Sequence, residues 1–359
     1  MTLLRSLIPL CALLVACGRG TQPTPTIGDD ASMRTGTPEG WPRVLVVTAG
    51  EGPALFLGPE SDSPPTGYLS SGVRLRLDGP PVNGRVPVTV AGGMQARGWA
   101  MLGRVGLYVT RRGRLDGTPS YVAVGDLVGV TGRTDDGQWR IRVTPWMGRE
   151  ELDRLGPFEA TVAADGLTDT APSGPDAELN AGENRLLPVG TEVPVYDRPG
   201  GAVVARIPAT ETAHTVVVLR SRGGWNGIRA GVGPYLVGYV QGDLAAADAA
   251  PRSSWTTPAA GADGIPARIA GETGPLHRLA EGTRIRFLDR VIAVARRGAW
   301  ARGLGRVSGG RADVYVAVDD GCALRGLVRE DDLLSAEGAA APPASAAPAE
   351  PMPAGPSGS

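Results

Sequence analysis

Three cysteines, two histidines and a few paired aspartates are the side chains in this 359-residue chain that could carry catalysis or hold a metal. A thiolate nucleophile needs a base within hydrogen-bond reach. The nearest histidine upstream of Cys322 is His277, 45 residues away, and no base stands next to the thiol in sequence. With only His214 and His277 available, a multi-histidine metal site is excluded and a mixed Cys/His zinc site is unfavourable. Asp135-Asp136, Asp319-Asp320 and Asp331-Asp332 are adjacent pairs. A calcium loop instead spaces its oxygen ligands at alternate positions, so these pairs read as turn residues. No Gly-rich phosphate loop, nucleophile elbow or paired-histidine helix occurs. The expectation is therefore a protein without catalysis, cofactor or metal. The remaining side chains able to hold a ligand are aromatic: Trp99, Trp139, Trp225, Tyr239 and Trp300. Each could be a binding platform, but a ring of this size more often pins a small core.

Cys17 stands apart from Cys322. Arg5 and the apolar run Leu7 to Ala16 precede it. A short apolar run with a basic start and small residues at its end is the pattern of an export signal that is removed, and it is too short for a span of about 20 residues. Leu14-Val15-Ala16-Cys17 resembles the lipobox of bacterial lipoproteins. That resemblance implies cleavage before Cys17, acylation of its thiol and new amino terminus (the palmitate-type anchor), and a membrane partner through the lipid. Gly18 at the second mature position implies the periplasmic face of the outer membrane, since the aspartate that retains such proteins at the inner membrane is missing. An ordinary secretory signal with a chance cysteine is the alternative reading.

With Cys11 in the removed segment and Cys17 acylated, Cys322 has no partner for an intramolecular disulfide. Removing residues 1–16 takes away one of 36 arginines and leaves 37 acidic residues, a balance that gives no reason to expect a nucleic-acid footprint. Lysine is absent, so an acylated mature chain would carry no primary amine and could not be linked to cell-wall peptide through one.

These residues must be positioned by strands. Val73-Arg74-Leu75-Arg76-Leu77 and Trp139-Arg140-Ile141-Arg142-Val143 alternate apolar and basic side chains, the period of a half-buried strand. The one helical pattern is Gly148 to Leu155, too short for a domain. Composition divides the chain into a signal (1–16), a Gly/Pro/Thr tether (17–40), strand-rich units at 41–104 and 105–167, a linker (168–184), a unit at 185–245, a second linker (246–265), a unit at 266–334, and an Ala/Pro/Ser tail (335–359) predicted to be disordered.

Three of the units share an apolar strand, a turn and a tryptophan opening the next strand: Leu127 to Trp139, Thr215 to Trp225 and Thr283 to Trp300. Asp136-Gly137 and Gly223-Gly224 supply the positive φ of a tight hairpin. Closing phrases follow at Phe158 to Val162, Leu236 to Val240 and Leu324 to Val328, and Arg97-Gly98-Trp99 closes the first unit. The pattern resembles bacterial SH3-like domains, most closely over Val193 to Leu244, where Asp197-Arg198-Pro199-Gly200-Gly201, Gly224-Trp225 and Gly238-Tyr239-Val240 stand for the family's loop, central pair and closing phrase. It is weaker elsewhere: Val86 stands where the first unit would have its Trp, Gln138 precedes Trp139, and Trp300 is displaced. The resemblance implies an all-β fold of tandem small barrels, with the site aromatics mostly in cores.

Gly321-Cys322-Ala323-Leu324-Arg325 loosely resembles the Gly-Cys-x-Arg phrase of L,D-transpeptidases, but has one residue too many before Arg325 and Asp320 where a small polar residue or histidine belongs. The expected function is a lipid-anchored cell-envelope protein whose SH3-like repeat array binds peptidoglycan or a protein partner. The alternatives are an accessory or degenerate wall enzyme using Cys322, and a spacer or subunit of an envelope assembly.

Overall fold

The computed structural model describes residues 36–48, 54–91, 94–145, 156–172, 182–231, 233–247, 269, 273–296, 299–319 and 321–336. The signal, Cys17, most of the tether, the helical pattern at 148–155 and the tail from 337 lie outside the described residues. The fold is all-β, and no helix among the described residues is long and apolar enough to cross a membrane.

The alternation read in sequence sets the burial. Leu75 and Leu77 are buried while Arg74 and Arg76 are exposed, and Trp139, Ile141 and Val143 are buried while Arg140 is exposed. The Val44–Val47 strand pairs with both Arg74–Leu77 and Val105–Val109, and the ladder continues through Leu127–Arg133 and Trp139–Val143 to Phe158–Val162. Residues 41–104 and 105–167 thus share one sheet.

Six strands of this sheet close a barrel, and they come from two distant parts of the chain. Ala54–Phe56 pairs with Pro65–Leu69 and Met94–Met101. Arg284–Phe287 pairs in the same way with Arg290–Ala295 and Cys322–Arg329. The two triplets join at both seams: Ala293 lies opposite Ala96, and Leu324 opposite Gly67. The junctions are matched, because the closing strand of each triplet pairs with the middle hairpin strand of the other. One hydrophobic core fills the assembly, holding Leu55, Leu75, Val88, Leu107 and Ile141 together with Ile285, Val316 and Leu324. A closed barrel hides the edge groups that either triplet alone would leave open.

Equivalent glycines make the closure possible. At Gly98 a Cβ would lie 2.5 Å from Leu55 Cγ and 2.9 Å from the Phe56 carbonyl oxygen; at Gly326 it would lie 2.5 Å from Ile285 Cγ2 and 2.7 Å from the Arg286 carbonyl oxygen. Each closing strand crosses the first strand of its own triplet at a point where no side chain fits.

Residues 182–247 form a second sheet in the order Val203–Ile207, Val193–Tyr196, Tyr235–Gln241, Trp225–Ala230, Thr215–Arg222, Glu183–Leu186, Ala245–Ala246. Its core contains Val195, Ile207, Val216, Ile228, Leu236 and Val240, with Phe158 of the neighbouring sheet against it. The strand Ser120–Val122 joins this second sheet beside Tyr235–Gln241, so that Tyr121 faces Tyr235. The Val237 amide also donates to the Pro119 carbonyl at 2.7 Å.

Thr283 to Trp300 departs from the expected repeat: it spans a complete hairpin, Arg284–Phe287 with Arg290–Ala295, so that Trp300 opens the first strand of the next hairpin whereas Trp139 and Trp225 open the second strand of theirs. The three hairpins that carry these tryptophans nevertheless share a feature. Each has a register shift a few residues before its turn, at Val130/Gly132, Val218/Arg220 and Gly303/Gly305. A bulge of this kind adds one residue to one strand and increases local twist.

Candidate functional site

The five aromatics singled out in sequence fall into two groups. Trp99 and Trp139 are each 4% exposed and Trp300 is 8% exposed. Trp139 meets Trp41 edge-on at 5.3 Å between centroids and carries the Arg133 guanidinium 4.7 Å from its ring centre. Arg133 in turn donates to the Gly40 and Gly137 carbonyls, holding the start of the sheet against the hairpin turn. Over Trp300 sits Arg278, 3.3 Å from the ring centre, and burial pushes its guanidinium pKa below the ordinary value. These three rings are packing elements, and a ligand would have to displace protein to reach them.

Trp225 and Tyr239 are only half-buried and share a face. Along Tyr235–Gln241 the even positions Leu236, Gly238 and Val240 point into the core, which turns Tyr235, Val237, Tyr239 and Gln241 outward. On the adjoining strand Trp225, Gly227 and Arg229 face the same way, with Gly227 opposite Tyr239 and Trp225 opposite Gln241. On the other flank Tyr196 lies opposite Tyr239. Tyr196 and Trp225 meet edge-on at 5.1 Å, interplanar angle 90°.

Arginines complete the face. Arg220 lies 5.2 Å from the Tyr239 ring centre and Arg229 lies 4.9 Å from that of Tyr235. Gly227 is the floor beneath the first pair: a Cβ there would lie 3.1 Å from Arg220 Cγ and 3.4 Å from Tyr239 Cε1. Burial lowers the pKa of Arg229, partly offset by the neighbouring Tyr235 and Tyr121. The face is therefore cationic and ring-lined, able to stack flat groups and to donate forked hydrogen bonds to an oxyanion.

Sequence reasoning named Trp225 and Tyr239 but missed Tyr196, Arg220, Arg229, Tyr121 and Tyr235. The signal for Tyr235 was present in the Tyr-x-Val-x-Tyr alternation of that strand. The contribution of Tyr121 depends on a pairing between segments more than 100 residues apart, which nothing local encodes.

Cys322 is 2% exposed, opposite Leu69 in a barrel seam, so its thiol is packed rather than presented to solvent. The Asp135-Asp136 pair sits in a hairpin turn, where Asp136 accepts from Thr134 and, at 2.8 Å, from Gln138 Nε2; the Thr134 bond leads in holding its pKa below the ordinary carboxylate value. Asp331 and Asp332 lie in a single 3₁₀ turn. Among the described residues no cluster of three or more His, Cys, Asp or Glu side chains is arranged to hold a metal.

No family model matches this chain, and neither the curated proteins nor the solved structures give a match.

Proposed function

We propose that this chain is a non-catalytic, lipid-anchored protein of the bacterial cell envelope that holds the peptidoglycan wall through the aromatic–arginine face of residues 182–247. The single observation that carries the reading is that face: half-exposed Tyr196, Trp225 and Tyr239 with Arg220 stacked over one of them. In this reading Cys17 carries the lipid, residues 18–40 are the tether, and the strand-rich segments are SH3-like units. The recurring bulged hairpins and the matched Gly98 and Gly326 crossings support a common origin for the units. Two of them, 41–104 and 266–334, have merged their strands into one barrel. Burial of Cys322 weighs against the thiol-enzyme alternative.

The test is retention. Full-length protein is mixed with purified cell wall and sedimented, with lysozyme-digested wall as control; the reading requires co-sedimentation that digestion abolishes. Palmitate incorporation in cells tests the anchor, and a Cys17→Ala chain that still incorporates label would sink that part.

A further inference from the structure

We infer that the aromatic–arginine face is a composite binding surface for an extended, carboxylate-bearing oligosaccharide, and that Tyr121, supplied by the 105–167 segment whose longer strands lie in the first sheet, is part of it. The inference rests on the reading of this face as the binding surface and adds the chemistry and extent of its ligand.

Charge gives the sign of the ligand. The outward positions of the two central strands are aromatic, aliphatic, glycine, glutamine or arginine, and none is acidic. Two other arginines of the same sheet are matched: Arg206 pairs with Glu192 at 2.6 Å, and Arg185 pairs with Glu183. Arg220, Arg222 and Arg229 form no salt bridge with a described carboxylate, although Arg220 and Arg222 are exposed on the hairpin. Desolvating an unmatched guanidinium is costly, so an occupant that covers the exposed Arg220 and Arg222, beside the buried Arg229 and the rings, has to bring anionic groups together with flat apolar parts.

Backbone pairing argues against a peptide strand as that occupant. Tyr235–Gln241 is bonded to Trp225–Ala230 on one side and to both Val193–Tyr196 and Ser120–Val122 on the other. That strand offers no open backbone edge for strand addition, the usual way a sheet captures an extended peptide, and the sheet's edge strand Val203–Ile207 lies two strands away. Recognition has to come from ring planes and guanidinium forks. Those suit a sugar ring, whose C–H face stacks on an aromatic while its carboxylate takes the fork.

Extent follows from the strand. From Tyr235 to Gln241 the outward row runs about 20 Å at roughly 3.3 Å per residue, long enough for several sugar rings. Tyr121 lies directly opposite Tyr235, so the row ends on a strand that the 105–167 segment inserts into this sheet. An oligosaccharide spanning it would bind across that insertion and strengthen its docking.

Titration calorimetry of the full chain with tetragalacturonate, chitotetraose and tetraglutamate tests this. Tetragalacturonate should bind, with Arg220→Gln and Arg222→Gln each weakening it about tenfold, the scale of one charge-assisted hydrogen bond. Tyr121→Ala should weaken it several-fold while Tyr121→Phe does not. The two arginines are exposed, so their variants fold and keep the test decisive if Tyr121→Ala undocks the inserted strand. Equal binding of chitotetraose would show that charge is not read and would overturn the inference, as would preference for tetraglutamate. Absence of tetragalacturonate binding with wall retention intact defeats this inference alone; loss of both defeats the wall reading as well.

Discussion

Replacing Gly326 with alanine is the sharpest probe of how the barrel closes. The added methyl would sit 2.5 Å from Ile285 Cγ2 and 2.7 Å from the Arg286 carbonyl oxygen. Neither neighbour can step aside cheaply. Ile285 is fully buried and β-branched, which restricts its rotamers, and Arg286 is held in the ladder opposite Leu327. Overpacking of this kind costs about 1–3 kcal/mol, and a backbone obstacle places Gly326→Ala at the upper end, about 3 kcal/mol. With a urea dependence of about 3 kcal/mol/M, the unfolding midpoint should fall by roughly 1 M. Gly305→Ala is the control: it lies in the neighbouring hairpin with no atom within 4 Å of the new Cβ and needs no positive φ. It should shift stability by no more than about 0.5 kcal/mol. Urea unfolding followed by tryptophan fluorescence reads both. Equal midpoints for the two variants would refute the crossing and, with it, the equivalence of Gly98 and Gly326.

Arg85 is buried with its guanidinium over the Phe56 ring at 3.8 Å, donating to the carbonyls of Gly58 at 2.8 Å, Glu60 at 2.5 Å and Ser61 at 3.3 Å. A lysine cannot reproduce that fork, so Arg85→Lys should cost about 2–4 kcal/mol and remove hydrogen-exchange protection from residues 57–64; unchanged protection would contradict it. Cys322 should resist an aromatic disulfide reagent in native protein and react fully once denaturant is added, and rapid native labelling would reopen the thiol-enzyme alternative. Trp139→Ala should destabilise the large sheet by about 3–5 kcal/mol, whereas Trp225→Ala, at a half-buried ring, should cost clearly less; calorimetric unfolding that ranks them in the opposite order would show that the two groups of aromatics have been misassigned.

Local pattern carried much of the fold. The Val73 to Leu77 and Trp139 to Val143 alternations gave strand and burial together, and Gly137 and Gly224 do adopt positive φ, at 81° and 75°, in the turns before their tryptophans. What local pattern could not carry is pairing. The seam between Met94–Met101 and Arg290–Ala295 joins segments nearly 200 residues apart, and each strand reads the same whether its partner is near or far. The same limit applies to the site. Trp139 and Trp225 each open the second strand of a bulged hairpin, yet Trp139 is buried against Trp41 while Trp225 meets Tyr196 and stays half-buried; Trp300 opens the first strand of its hairpin and lies under Arg278. Their exposure is decided by neighbours that come from elsewhere in the chain.

Overall neutrality also concealed an uneven distribution. Residues 266–334 carry 12 arginines against 9 acidic residues and residues 185–245 carry 6 against 4, so the acidic excess lies in the connecting segments. A net charge near zero is thus compatible with a cationic binding face, and inference from net charge has to be made unit by unit.

The most direct measurement is sedimentation of the full-length chain with purified cell wall, wild type beside Arg220→Gln/Tyr239→Ala. The face is predicted to hold the wall, so wild type should pellet, the double variant should remain in the supernatant while still unfolding cooperatively well above the assay temperature, and lysozyme digestion should release the wild type. Equal pelleting of both proteins, or no retention of wild type above the digested control, would contradict the account.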